Sequence, residues 1–313
     1  MLVSRQDVID AAERIDGEVV WTPLIEARIG ETNVWLKCEN EQTGGAFKLR
    51  GATNRLLQLS DDERSRGVVA FSSGNHARGV AIAARRLGIR AVIVMPSDAP
   101  AVKIEGTRGE GAEIVFFDRR HDSREAIAAR IAGESGATVV PSFDDPAIVA
   151  GQGTVGLELL AQVPEPVRRI VVPCGGGGLA SGIALACPEA EIVCVEPEGW
   201  DDMRRSLAGG EIVPVAPDAP PTLCDALQTP RVSPITFAIL EARGARALAV
   251  SEAETEAAVR YAWSEHHVKL EPGGAVALAA LLAGKVPLSA GTVAILSGGN
   301  IDPALHARIV GEN

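Results

Sequence analysis

Ile170-Val171-Val172-Pro173-Cys174-Gly175-Gly176-Gly177-Gly178-Leu179-Ala180-Ser181-Gly182 is the stretch on which the fold turns. It opens on a near-continuous Val/Ile run, the pattern of a strand buried on both faces in a parallel sheet. Four consecutive glycines follow, and a helix is expected from near Leu179. Glycines in a strand–helix turn let backbone N–H groups approach a phosphate without side-chain interference, and the helix aims its positive end at the same spot. The alternative, a tight turn with no ligand, conflicts with the chain entropy that four glycines cost.

The same strand-then-turn arrangement recurs on either side. Val68-Val69-Ala70-Phe71 leads into Ser72-Ser73-Gly74-Asn75-His76-Ala77, and Thr292-Val293-Ala294-Ile295-Leu296 leads into Ser297-Gly298-Gly299-Asn300. In open α/β sheets ligands bind outside the carboxyl ends of strands, where such turns sit. Strands are predicted at Val34–Cys38, Val68–Ser72, Ala91–Met95, Glu113–Phe117, Ile170–Cys174, Glu191–Glu196 and Thr292–Leu296. Helices are predicted between them at Ala77–Leu87, Ser123–Glu134, Val149–Ala161, Glu252–His267 and Gly273–Leu282. Asp122 or Ser123 caps the second of these and Ser251 the fourth. This alternation predicts an α/β doubly wound protein of two lobes, each a mostly parallel open sheet with helices on both faces, with a ligand in the cleft. Gly209–Pro221, with four prolines, is expected to be an irregular surface connection.

Composition narrows the function. The chain has 313 residues, is 46% hydrophobic but only 4% aromatic, and carries a formal charge of −11. Ala, Val, Leu and Ile must therefore fill the core, and the acidic balance argues against a nucleic-acid or anionic-membrane surface. No apolar run approaches the ~20 residues that cross a bilayer. The N-terminus lacks the apolar core of a signal peptide. The five cysteines are odd in number with no C-x-x-C pair, which reads as buried, reduced thiols in a cytoplasmic protein. The chain ends soon after the Ser297 turn, so no C-terminal regulatory domain is expected.

Lys48 is the candidate reactive group. In Gln42-Thr43-Gly44-Gly45-Ala46-Phe47-Lys48-Leu49-Arg50 it follows a glycine turn and opens a helical pattern. A helix start holds a cation poorly, so a lysine there could be uncharged at neutral pH, as imine chemistry requires. A rival reading exists. Gly175-x-Gly177-x-x-Ala180, with Glu196 ending the next strand, fits the dinucleotide fingerprint and would suit an NAD-linked oxidoreductase. It leaves Lys48 and the Ser72 and Ser297 turns without a role.

Taken together, and in this order and spacing, the Lys48 motif, the Ser-Ser-Gly-Asn-His turn, the four-glycine turn and the Ser-Gly-Gly-Asn turn resemble fold-type II pyridoxal-phosphate enzymes, related to tryptophan synthase β. The resemblance spans essentially the whole chain and points to threonine/serine dehydratases and serine racemases. It implies that Lys48 holds pyridoxal 5'-phosphate as an imine, Phe47 lies against the ring and Asn75 bonds the phenolic oxygen. Gly175, Gly176, Gly177, Gly178 and Leu179 would bind the phosphate, and Ser297 would face the pyridine nitrogen. Ser72, Ser73, Gly74, Asn75 and His76 would grip the substrate carboxylate, with Ser73 opposite Lys48 and Arg124 in the substrate pocket. It also implies a large cofactor-binding domain of residues 1–57 and 145–313, a small mobile domain of residues 58–144, and a homodimer.

Two positions depart from the family pattern. Arg78 stands where glutamine is usual, and Phe143 stands where the racemases have asparagine, which leans toward a dehydratase. In the racemase-like branch a divalent cation is held by a Glu, a carbonyl four residues on and an Asp two further. Glu196, Trp200 and Asp202 fit that spacing and their oxygens suit Mg²⁺ or Ca²⁺; the alternative is an acidic surface loop. The implied reaction is β-elimination of water from a β-hydroxy amino acid such as L-threonine or L-serine, giving a 2-keto acid and ammonia. Racemisation through Ser73, and dehydration of 3-hydroxyaspartate with Arg78 and Arg124 reading a second carboxylate, stay open as alternatives.

Overall fold

The computed structural model describes residues 3–72, 74–118 and 120–312. Among them ten strands run in chain order: β1 (Leu24–Ile29), β2 (Thr32–Cys38), β3 (Val68–Phe71), β4 (Ala91–Pro96), β5 (Glu113–Phe117), β6 (Thr138–Val139), β7 (Arg169–Pro173), β8 (Glu191–Pro197), β9 (Arg246–Val250) and β10 (Thr292–Leu296). The helices are α1 (Arg5–Arg14), α2 (Lys48–Leu57), α3 (Asp61–Arg66), α4 (Asn75–Arg86), α5 (Ala101–Arg108), α6 (Arg124–Ser135) and α7 (Pro146–Gln162). They continue with α8 (Gly178–Ala186), α9 (Asp202–Gly209), α10 (Pro234–Ala242), α11 (Glu252–His266), α12 (Pro272–Leu282) and α13 (Pro303–Val310).

The strands form two sheets, β1-β2-β10-β7-β8-β9 and β5-β4-β3-β6. All pairings are parallel except the β1–β2 hairpin, which turns at Gly30. Both faces are covered, as the apolar runs predict. Ile170, Val172, Ile192, Val293 and Ile295 pack under α1, α7, α8 and α10. Val171, Val193, Ala294 and Leu296 pack on the other face with α11 and α12. In the smaller sheet Val68, Ala70, Ile93 and Met95 join α2 and α4, while Val69, Val92 and Val94 face α6. Alternate residues of one strand thus serve opposite cores.

The predicted elements appear with small shifts at their ends. α7 starts at Pro146 rather than Val149, because Asp145 Oδ1 accepts from the N–H groups of Ala147 and Ile148 and proline takes the first helical position. Ser123 caps α6, and Ser251 caps α11 with Glu254 answering. Edge strands β1 and β9 carry Glu26, Arg28 and Arg246 among few buried residues, so their pattern does not announce a strand. From the end of α9 to a 3-10 turn at Asp225–Leu227 the chain is irregular, as its prolines require.

α2 bridges the two layers. It packs on α4 and on α7, and Gly51 and Gly151 permit the second contact: a Cβ at Gly151 would lie 2.7 Å from the Cα of Gly51. Beneath α2, Arg50, Lys37, Glu39 and Glu158 are buried together. Arg50 pairs with Glu39 through Nε at 2.8 Å and with Glu158 through Nη1 at 2.6 Å, and Lys37 Nζ reaches Glu158 at 2.5 Å. Four half-satisfied charges would be costly there; paired and hydrogen-bonded, they fix α2 against β2 and α7.

Candidate active site

Two of the polar turns are tied by backbone hydrogen bonds, and a third joins them through side chains. Phe47 N–H donates to Ser297 O at 3.3 Å and Gly299 N–H to Gly45 O at 2.9 Å, with an isolated bridge between Ala46 and Gly298. Glu271 N–H donates to Gly298 O at 3.1 Å, which brings the head of α12 to the same place. Gly44 and Gly45 have φ of +85° and +76°, and a Cβ on Gly45 would meet Asn300 Oδ1 at 2.5 Å. Glycine is needed there for both conformation and closeness. Asn300 Nδ2 donates to Gly44 O at 2.7 Å and to Asn75 Oδ1 at 2.8 Å, tying in the turn after β3.

The four turns line one cavity between the sheets, as their sequence positions predict. Lys48 opens α2, with its Nζ 2.9 Å from the Ser142 carbonyl and 5.1 Å from the Phe47 ring centroid. Lys48 is half-buried, but protein atoms crowd its ammonium, and this burial pushes its pKa down to about 8. Gly175–Gly178 and Leu179 line the same cavity, where α8 begins. Gly177 has φ +87°, and the Phe143 ring lies so near that a Cβ on Gly176 would sit 2.3 Å from it. The first turn of α8 has N–H groups with no carbonyl before them to bond, so it is suited to an anion.

The chain matches the pyridoxal-phosphate dependent enzyme family over residues 15–298. It belongs to that family. It is 42% identical over 318 residues to L-threo-3-hydroxyaspartate ammonia-lyase of Pseudomonas sp, covering 99% of each chain. It is 38% identical over 318 residues to L-threonine ammonia-lyase of Thermotoga maritima, covering 99% of this chain and 78% of that one. The structure of maize serine racemase matches with a TM-score of 0.93 and 35% identity, over 98% of this chain and 97% of that one.

The cavity fits the family's cofactor: an amine of lowered pKa shares it with a side-chain-free anion cradle and with Ser297. Ser72, Gly74, Asn75, His76 and Arg124 line it too. Ser73 lies outside the described residues. His76 is neutral, since burial pushes its pKa down to about 3, and its Nε2 pairs with Val140 O at 2.9 Å. Arg124, first residue of α6, stacks 5.5 Å from the Phe71 ring centroid and pairs with Glu125 at 2.9 Å.

Arg78 lies in a small adjoining cleft with Gly74, Asn75, Val102, Lys103 and Asn300, of which Gly74, Asn75 and Lys103 also line the main cavity, and its Nη1 donates to Asn300 Oδ1 at 3.1 Å. One expectation is corrected. Glu196 is fully buried and off the wall of this cavity, with Met203 N–H at 2.9 Å and Arg204 N–H at 2.8 Å donating to its carboxylate, so a ribose at the glycine turn does not reach it. That removes the dinucleotide reading of the glycine turn.

The metal set stands apart from the cavity. Among the described residues no group of three or more His, Cys, Asp or Glu side chains converges on a point. The acidic surface loop is not what the structure shows either, since Glu196 and Asp202 are both fully buried. The Asp202 carboxylate makes no hydrogen bond of good geometry; the N–H groups of Asp202 and Val232 only lie toward it. Burial pushes the Asp202 carboxyl up to about 7, and burial and the nearby Asp202 push Glu196 well up. A buried carboxylate short of hydrogen bonds beside a second one is a donor set that a divalent cation would satisfy.

Sequence reasoning missed Lys103, Asp225 and Glu271, all on the cavity wall. No local signal marks them: a lysine in a polar helix and an acid before a proline look like surface groups. All five cysteines are buried and unpaired. No helix among the described residues is long and apolar enough to cross a membrane.

Proposed function

We propose that this enzyme is an ammonia-lyase that removes water from a β-hydroxy amino acid of the L-threonine or L-serine type, releasing a 2-keto acid and ammonia. The observation that carries the reading is the convergence of Lys48, the glycine turn and Ser297 on one cavity. Bound pyridoxal phosphate supplies an electron sink for the charge left on the substrate α-carbon. Lys48 would hold the cofactor, and its amine would take the α-proton; a pKa near 8 suits both tasks. Gly175–Gly178 and Leu179 would hold its phosphate, Phe47 would line the site beside its ring, and Asn75 would donate to its phenolic oxygen. Ser297 would be a neutral partner for its pyridine nitrogen, which favours elimination. Ser72, Gly74, Asn75 and His76 form the carboxylate-binding turn, and residues 58–144 close over it as the small domain. We further assign a divalent cation to Glu196, the Trp200 carbonyl and Asp202, and a homodimeric, cytoplasmic enzyme. The buried unpaired thiols suit a reducing compartment.

A second reading, dehydration of 3-hydroxyaspartate, is favoured by Arg124. Of the cations on the cavity wall, Lys103 is held by carboxylates and Lys48 serves the cofactor. Among the described residues the one ion pair of Arg124 is with Glu125, which is largely exposed, so a substrate carboxylate can take its place. The name of the Pseudomonas relative agrees. The experiment is to measure kcat/KM for L-threonine, L-serine and 3-hydroxyaspartate in wild type, Arg124→Gln and Arg78→Gln. Release of 2-keto acid from none of them would overturn the lyase reading. For the second reading, Arg124→Gln should lose about 1.5–3 kcal/mol of transition-state stabilisation on 3-hydroxyaspartate alone. Arg78→Gln should treat all three alike.

A further inference from the structure

Lys103 is buried between two carboxylates that belong to the other sheet's half of the molecule. It projects from α5, packed on α4 beside the four-stranded sheet. Its Nζ lies 2.5 Å from Asp225 Oδ2, in the 3-10 turn, and 3.6 Å from Glu271 Oε2, at the head of α12. The Lys103 and Glu271 side chains are 6% and 2% exposed, so these charges depend on one another rather than on water.

Glu271 is the hub. Its Oε1 accepts from Asn75 Nδ2. It also packs on the Ser297 turn, where a Cβ added to Gly298 would meet Glu271 Oε1 at 2.3 Å and Asn75 Nδ2 at 3.1 Å. Gly74 leaves room for the lysine: a Cβ there would lie 3.4 Å from Lys103 Nζ. One ammonium therefore touches the turn after β3, the Asp225 turn and the head of α12 together.

We propose that Lys103 is an inter-layer clasp and a positioning residue: its charge holds Glu271 in the orientation that fixes the Asn75 amide, and ties α5 to the cavity wall. The inference deepens the reading of the site given above, since Asn75 is there assigned to the cofactor. Without the ammonium, Glu271 and Asp225 face each other unscreened, one must turn away or take up a proton, and Asn75 loses its acceptor. Arginine can keep the charge and reach both acids; methionine keeps the bulk alone.

Hydrogen–deuterium exchange of the apoprotein tests this without cofactor or turnover. Lys103→Met should speed exchange in Ala101–Arg108 and in residues 75–80 by about tenfold or more, and Lys103→Arg should stay within about threefold of wild type. Asp225→Asn, which leaves Glu271 paired, should open α5 less than Lys103→Met does, and it serves if that variant fails to fold. In the holoenzyme kcat/KM should fall by at least about tenfold in Lys103→Met and recover in Lys103→Arg. Unchanged exchange in Lys103→Met, or equal damage from methionine and arginine, overturns the proposal. The expected exchange pattern in a protein that dehydrates no β-hydroxy amino acid would sink the lyase reading and leave the clasp standing.

Discussion

Glu158→Gln should destabilise the protein more than any surface change, and the structure says by how much. Glu158 is the one acid shared by both buried cations: Oε2 meets Lys37 at 2.5 Å and Oε1 meets Arg50 at 2.6 Å. Glutamine keeps the shape and removes the charge. Arg50 then keeps Glu39 through Nε at 2.8 Å and Nη2 at 2.9 Å. Lys37 keeps the Thr22 carbonyl at 2.8 Å, Gln162 at 2.8 Å and the attraction of the nearby Glu39, but loses its one contacting carboxylate among the described residues. Breaking a buried pair this way costs about 3–5 kcal/mol. With an unfolding entropy of about 2.1 cal/mol/K per residue, the melting temperature should drop by roughly 5–8 °C. The pH dependence has a definite sign. Burial already lowers the Lys37 pKa, and loss of Glu158 lowers it further. The folded variant then binds fewer protons than the unfolded chain, so its deficit is fullest at low pH and shrinks as pH rises toward the free-lysine value of about 10.4. The assay is thermal melting of wild-type and variant apoprotein at pH 7 and 9.5. Melting within 1 °C of wild type at pH 7, or a deficit that grows with pH, would refute the account of the network.

Lys48→Ala should abolish turnover and leave pyridoxal phosphate bound only non-covalently; a borohydride-reducible visible band in that variant would refute the assignment. The rate at which apoprotein captures pyridoxal phosphate should rise with pH and level off above about 8, where the Lys48 amine is neutral; a limb near the ordinary lysine value would show that the wall does not shield it. Gly176→Val should weaken cofactor binding sharply because Phe143 occupies the space of its Cβ, read by equilibrium dialysis of pyridoxal phosphate. Chelator should lower the melting temperature of wild type but not of Asp202→Ala, since a cation bound only to the folded state stabilises it in proportion to ln(1 + [L]/Kd); indifference of wild type to chelator, Mg²⁺ and Ca²⁺ alike would leave Asp202 a buried acid without a cation.

The architecture was legible in the sequence because parallel strands buried on both faces must be largely apolar, as Ile170–Cys174 and Thr292–Leu296 are, and because glycine turns at their ends have few other uses. The same local logic exposed Lys48 at a helix start and the turn at Gly175. Edge strands β1 and β9 escaped it, since their solvent side carries charge and blurs the pattern. What only the tertiary structure decided is the company each polar group keeps. Arg78 and Arg124 look alike in the sequence, yet one bonds Asn300 in a side cleft while the other lines the cavity. Lys103, Asp225 and Glu271 are far apart in the chain and individually resemble surface residues, and their charges make sense only when α5, the Asp225 turn and α12 are brought together. Hydrophobic periodicity is a short-range property of the chain and can be read along it, whereas a buried charge is tolerated only through partners that folding delivers from elsewhere.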